Sequence, residues 1–452
     1  MSTLTFYGGA NEIGGNKILL QDKDARVYLD FGQSFDFGEQ YFYEYLQPRA
    51  AHGLEVFFEF GLMPQVPRLY SQSMLERTEL KYQPTDIDGV LITHSHSDHV
   101  NHLPFLDEAI PVHMGHGTHR ILEAYHKLYP SLVNIGEHDQ INHFKSGDSF
   151  NIKHLEIQPV HVEHSIPGAY GFIVHTSKGP LVYTGDLRLH GPKSSMTREF
   201  IEKAAACNPF AMLCEGTRMS SESHHNYTEE EVEKKIDGII QDSKSIVFCY
   251  FSMSNIDRFM SVYRATLKNG RKLVIDTKFA YILDELKDKI PDLPDVLTDS
   301  NIQIYFRLAK SGTYNEKDYG VYERKYLDKK ITFDEVSKQQ KDIVMHMGFN
   351  KLMELVYIQP KNADYIYSSS EHFLEGEENE SERTVLENWM KHFGVKFHKA
   401  HCSGHASRED LEHLIRAINP KIVIPIHTQQ AQEFKKIHSK VLIPEKGGKI
   451  DL

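Results

Sequence analysis

Long apolar runs are missing from this chain of 452 residues, and with them any candidate for a membrane-spanning helix, which needs about 20 consecutive apolar residues. The start, MSTLTFYGGANEIGG, has no basic patch followed by an apolar core, so nothing in it reads as an export signal. Cysteine is scarce. Cys207, Cys214, Cys249 and Cys402 are the only four, without Cys-x-x-Cys spacing, which argues against a disulfide framework and fits a reducing compartment. A cytoplasmic protein is the expectation. Basic charge is also short: 51 Lys and Arg stand against 63 Asp and Glu, for a formal net charge of −12. That argues against a protein that coats nucleic acid through a uniform basic field, while leaving room for a local basic groove. There is no internal repeat, and the only low-complexity stretch is the acidic block Glu375 to Glu382. Gly8-Gly9 and Gly14-Gly15 do not complete a dinucleotide fingerprint, so they read as glycine-permitted turns.

What is present fits a globular enzyme of more than one domain, since the chain is too long for a single ordinary core. Thr3 to Tyr7, Lys17 to Gln21 and Arg26 to Phe31 read as strands joined by tight turns. Gln33 to Lys81 is an aromatic-rich connection that includes Phe35, Phe37, Tyr41, Phe42, Tyr43, Tyr45, Phe57, Phe58 and Phe60. So many rings predict a packed insertion with short helices, serving as core or as a subunit contact, a base-stacking lip being the alternative. Helical spacing over 100–108 and 118–128 precedes a return to alternating strands at 152–161, 171–175 and 181–183. From Thr228 the order changes to helix, strand, helix, strand, a doubly wound α/β pattern. A strand near 395–400, the helix 408–418 and the strands 421–426 and 440–443 are expected to rejoin the first domain.

The chemistry concentrates in Ile92 to His102, ITHSHSDHVNH. Alternation along the strand 89–92 would place His94 and His96 on one face, and Asp98 and His99 leave it in a tight turn. With 27 histidines in the chain a pair means little, but three imidazoles and a carboxylate at this spacing form a donor set that suits Zn²⁺ better than Mg²⁺ or Ca²⁺. Mn²⁺ can also occupy such mixed sites. His164, Asp186 and His427 each follow an apolar strand and are further ligand candidates, the carboxylate being able to bridge two cations. Asp30, in LDFG, ends the strand expected beside the one feeding His94 and is a candidate to orient ligands from behind.

The ordered set HSHSDH, EHS, TGD and a late IH resembles the metallo-β-lactamase superfamily. Glu215 in LCEGTR, His405 in HCSGHAS and His427 in PIHT look like motifs A, B and C of its β-CASP branch, and YGGANEIGGN with HSIPG most resembles ribonuclease J in its archaeal form, without the extra C-terminal domain of the bacterial enzyme. The resemblance implies an α/β fold: a metallo-β-lactamase αββα sandwich (1–218 and 395–452) with an inserted β-CASP doubly wound α/β domain (219–394). It implies two Zn²⁺ per chain, with His94, His96 and His164 holding one, Asp98, His99 and His427 the other, and Asp186 bridging. A metal-activated hydroxide would attack the phosphodiester, with His405 as general acid kept protonated by Glu215. His161 competes with His164 but lacks the family spacing before Ser165-Ile166-Pro167. A histidine at motif C goes with RNA, so single-stranded RNA is the expected substrate, cut by a 5′–3′ exonuclease, an endonuclease or both. DNA nuclease, small-molecule hydrolase and non-catalytic RNA-binding subunit are the alternatives. Ser403 and Gly404, before a helix, and Ser368 with Ser369, after a strand, are candidates to hold a phosphate. A homodimer or higher homo-oligomer is expected from the resemblance alone.

Overall fold

The computed structural model describes residues 2–35, 41–42, 46–130, 133–220, 227–370, 374 and 379–452. Phe37, Tyr43 and Tyr45 of the aromatic segment and 375–378 of the acidic block lie outside them. Contacts divide the chain into two units, one built from 1–189, 193–224 and 404–452 and the other from 190–192 and 225–403.

The first unit holds two sheets. One has seven strands in the order Lys449–Asp451, Ser2–Gly8, Lys17–Asp22, Ala25–Leu29, Gly89–Ile92, Val112–Gly115, Ile141–Phe144; the other has six, in the order Val423–Ile426, Ala211–Glu215, Gly179–Tyr183, Tyr170–Thr176, Leu155–His161, Phe150–Ile152. The period-2 alternation of strands sorts their side chains into layers. Leu4, Phe6, Ile18, Leu20 and Leu29 of the first sheet share one buried core with Ile157, Phe172, Leu181, Leu213 and Ile424 of the second. The alternate residues Leu19, Tyr28, Val90 and Ile92 face outward onto Leu54, Phe57, Leu69 and Leu75 of the segment after Gln33. On the other side Ile173, Val182, Met212 and Val423 pack against the helices Ser194–Ala206 and Arg408–Ile418. Helices and sheets therefore stack as αββα.

Among the described rings of the aromatic segment Phe57 is buried, Phe42 and Phe58 are half-buried, and Phe35, Tyr41 and Phe60 are exposed. Phe57 sits edge-on to Phe105, with ring centroids 5.0 Å apart, and Phe58 lies 5.6 Å from Tyr70. The expected helix over 100–108 is instead two short turns, Ser97–Val100 and Leu103–Phe105, because Pro104 interrupts it.

The second unit is one parallel sheet of seven strands in the order Lys330–Ile331, Ile302–Tyr305, Lys272–Asp276, Ile343–His346, Val247–Tyr250, Asp364–Tyr367, Lys396–Lys399. Its helices include Glu229–Asp242, Ile256–Lys268 and Glu380–Phe393. The strand Lys396–Lys399, expected to rejoin the first domain, pairs here with Asp364–Tyr367. No helix among the described residues is long and apolar enough to cross a membrane.

Candidate metal centre

The first unit carries its polar chemistry where strands end. Asp30, His94, His164, Asp186 and His427 each lie one to three residues beyond the last residue of a strand, and Glu215 is itself the last residue of one. Asp30 and His427 have φ of +56° and +51°, a left-handed turn that costs a non-glycine residue energy and is retained where the surrounding contacts demand it.

Two ligand groups converge on one carboxylate oxygen. His94 Nε2 and His96 Nδ1 are 3.0 Å apart, and His96 Nδ1 and His164 Nε2 3.1 Å. Asp186 Oδ2 lies 3.7 Å from His94 Nε2 and 4.0 Å from His164 Nε2. The same oxygen is 3.2 Å from His99 Nε2 and 3.6 Å from His427 Nε2, while Asp98 Oδ2 is 3.4 Å and 2.9 Å from those two nitrogens. Donor atoms of His94, His96, His164 and Asp186, and of Asp98, His99, Asp186 and His427, each fall within 4.8 Å of one another.

Partners behind the rings aim them. His99 Nδ1 donates to Asp30 Oδ2 at 2.7 Å, and Asp30 also accepts from Thr93 N and Thr93 Oγ1, both at 2.8 Å, and from the Tyr183 hydroxyl at 2.6 Å. His164 Nδ1 donates to the Gly404 carbonyl at 2.7 Å, and His427 Nδ1 meets Thr217 Oγ1 at 2.8 Å. Each bond leaves the Nε2 lone pair for a metal. A Cβ on Gly404 would stand 2.7 Å from Ser165 Oγ and 3.0 Å from His164 Cε1, so a larger residue there would press on the His164 ring.

Burial holds His94 and His164 well below the usual imidazole range and His96 at about 4, which favours the neutral ring, the form in which an imidazole can bind a metal. Burial alone would also raise Asp98 and Asp186, yet the surrounding imidazoles hold both well below the usual carboxylate range. Asp186 Oδ1 is buried with no hydrogen-bond partner. Burial opposes charge on His99 and His427 too, but the Asp186 and Asp98 carboxylates outweigh it and raise both; imidazoles gathered around ionised carboxylates, one with an unsatisfied oxygen, fit a divalent transition metal.

His405 stands at the rim. Its Nδ1 is 3.2 Å and 3.3 Å from the two Glu215 oxygens and 3.9 Å from Asp186 Oδ2. Burial opposes its charging, but the Glu215 and Asp186 carboxylates outweigh it and lift the imidazole to about 9. Asp186, Glu215, His405 and His427 are close enough to form a third donor group, but the Glu215 carboxylate already accepts from Leu187 N at 3.0 Å and Thr217 N at 3.2 Å. It is therefore better placed to orient His405 than to bind an ion.

Of the remaining sequence candidates, Ser368, Ser369 and His161 lie outside the ligand groups, while Gly404 lies against His164. Ser368, in the second unit, is buried and bonded to the Arg258 guanidinium at 2.6 Å and to the Ala400 carbonyl, so its hydroxyl serves that internal network rather than a phosphate; Ser369 beside it is half-buried. The helix after Gly404 closes its own start, Ser407 Oγ accepting from Asp410 N at 3.1 Å. The carbonyls of Ser403 and Gly404 are taken by His190 Nε2 and His164 Nδ1. His161 packs on Tyr170, with ring centroids 4.2 Å apart, outside both ligand groups. Thr93, Thr217 and Tyr183, which orient the ligand candidates and their support, carry no signal in the sequence beyond standing at or within two residues of a strand end beside a motif.

The family described as "Beta-lactamase superfamily domain" matches residues 64–226, and "Zn-dependent metallo-hydrolase RNA specificity domain" matches 395–441. Ribonuclease J of Mycoplasma genitalium is 24% identical, the match covering 96% of this chain and 68% of that protein. Ribonuclease J of Thermus thermophilus is 23% identical over 97% of this chain and 72% of its own. A solved structure of a protein of unknown function from Enterococcus faecalis shares the fold along 100% of both chains, with a TM-score of 0.77 at 24% identity. Fold, site and matches together define a metal-dependent hydrolase of the metallo-β-lactamase superfamily. Within it the chain is similar to the ribonuclease J proteins of the β-CASP branch.

Proposed function

We propose that the chain is a ribonuclease that hydrolyses single-stranded RNA with two Zn²⁺, or Mn²⁺ in their place, as a 5′–3′ exonuclease, an endonuclease or both. The observation that carries this reading is the His405–Glu215 pair set 3.9 Å from the carboxylate shared by two ligand groups. The match to an RNA specificity domain and the relatives named ribonuclease J support RNA as the polymer. His94, His96 and His164 would hold one cation, Asp98, His99 and His427 the other, with Asp186 common to both. When bound, such a pair supplies a water of lowered pKa and neutralises the phosphoryl oxygens. Asp30, Thr217 and the Gly404 carbonyl keep His99, His427 and His164 in position. As water adds to phosphorus and the P–O3′ bond breaks, His405 gives its proton to O3′, and Glu215 steadies the charged imidazole before transfer. The products are a 5′-phosphate and a 3′-hydroxyl. A reducing, cytoplasmic setting fits the free cysteines, and assembly as a homodimer or larger homo-oligomer belongs to the same proposal, checked by light scattering.

The test is degradation of a 5′-monophosphorylated, 3′-labelled RNA beside DNA of the same sequence, with His405→Ala as control and metal content measured on each preparation. The expected outcome is metal-dependent loss of RNA, intact DNA, and a folded, metal-loaded variant slower by roughly 10²–10⁴-fold. Metal-loaded wild type that leaves RNA intact overturns the reading.

A further inference from the structure

Phe35 is 50% exposed. The residues before it are pinned. Gln33 N donates to the Ser97 carbonyl at 3.1 Å, Ser34 forms an antiparallel bridge with Gly14, and Ser34 Oγ donates to Glu12 at 2.8 Å. Gly14, with φ of +76°, is the spacer between this ring and the metal ligands: a Cβ built on it would lie 2.9 Å from Phe35 Cδ2, 2.9 Å from Asp98 Oδ2 and 2.8 Å from Asp98 Cβ. The ring edge and the ligand oxygen therefore flank one glycine, and the same Asp98 oxygen is the one that meets His427 Nε2.

We propose that Phe35 is a substrate-binding residue that stacks on a nucleobase adjoining the scissile phosphate. This rests on the ribonuclease reading. A phosphate held at the metals places the base of its own or the neighbouring nucleotide one sugar away, where a half-exposed aromatic face offers contact that any base accepts. Such a residue fixes the register of the strand without reading its sequence. It also explains why an apolar ring is presented to water beside a cluster of charged ligands, whereas Phe57 of the same segment is buried.

The experiment is single-turnover cleavage of a short RNA by the metal-loaded full chain and by Phe35→Ala, Phe35→Leu and Phe35→Trp, each with its metal content measured, on an intact substrate and on substrates abasic at either nucleotide flanking the cut. Stacking predicts a fall in kcat/KM of roughly 5- to 150-fold for Phe35→Ala, an intermediate loss for Phe35→Leu, recovery in Phe35→Trp, and unchanged metal content. One abasic position should impose a similar loss on wild type and little further loss on Phe35→Ala. Wild type that cleaves RNA while Phe35→Ala matches it, or losses that multiply fully between variant and abasic substrate, overturns the stacking role and leaves the ribonuclease reading standing. Metal-loaded wild type inert on RNA overturns both.

Discussion

Asp30 belongs to neither ligand group, yet it supports the His99 ring directly and the backbone just before His94 through Thr93. It accepts from His99, from Thr93 twice and from Tyr183, so replacing it by Asn exchanges an acceptor-only carboxylate for a group that donates from one side. Asp30→Asn is expected to weaken metal affinity by roughly 10–100-fold, measured by competition with a chromophoric chelator; affinity equal to wild type would mean the ring needs no such support. Thr217→Val should do the same to the site that includes His427, with Thr217→Ser close to wild type. Glu215→Gln should slow RNA cleavage while leaving metal content intact, because the His405 proton is then held by an amide rather than an anion. At this scale the sequence was legible where donors are contiguous, as in His94 to His99. It was silent about Thr217, because the partner of that hydroxyl lies 210 residues further along the chain.

Among the elements, the strand ending at Asp22 shows how the two sheets are tied. Asp22 is buried and accepts from Ser2 Oγ at 2.6 Å in its own sheet, and from Ser177 N at 2.7 Å in the turn between two strands of the other. Burial alone would raise its pKa, but the Ser177, Ser2 and His154 hydrogen bonds together hold it well below the usual carboxylate range. A depressed carboxylate contributes stability that is present above the unfolded-state pKa of about 3.9 and is lost as pH falls through its folded value. Asp22→Asn should therefore cost about 1–3 kcal/mol at neutral pH, with the gap to wild type narrowing below about pH 3.9, as urea melts at several pH values would reveal. Phe57→Ala should cost about 3–5 kcal/mol in the same assay, since the ring is buried against Phe105. A loss below about 1 kcal/mol would return the aromatic segment to the surface role that its composition also allowed. Ring count alone could not divide Phe57 from Phe35: burial depends on which strand faces each ring, and that is set by the fold.

For the whole molecule, metal is expected to stabilise the first unit selectively, because its ligands come from both ends of the chain, His94 and His427 among them, while the second unit has its own core around Phe248, Val274 and Met345. Chelation should speed amide exchange in the strands Gly89–Ile92, Gly179–Tyr183 and Val423–Ile426 and leave Val247–Tyr250 and Lys272–Asp276 protected. Uniform loss of protection across both units would refute this. The sequence by itself determined the metal chemistry, the alternating strands and the doubly wound insertion, because each is written in local spacing: ligands within one turn, apolar residues at period 2, helices alternating with strands. Only the tertiary structure decided that the strand Lys396–Lys399 closes the second sheet, that Ser368 is held by Arg258, and that Phe35 borders Asp98. Those outcomes are pairings between segments far apart in the chain, and local pattern carries no record of which distant partner satisfies a given edge, hydroxyl or ring.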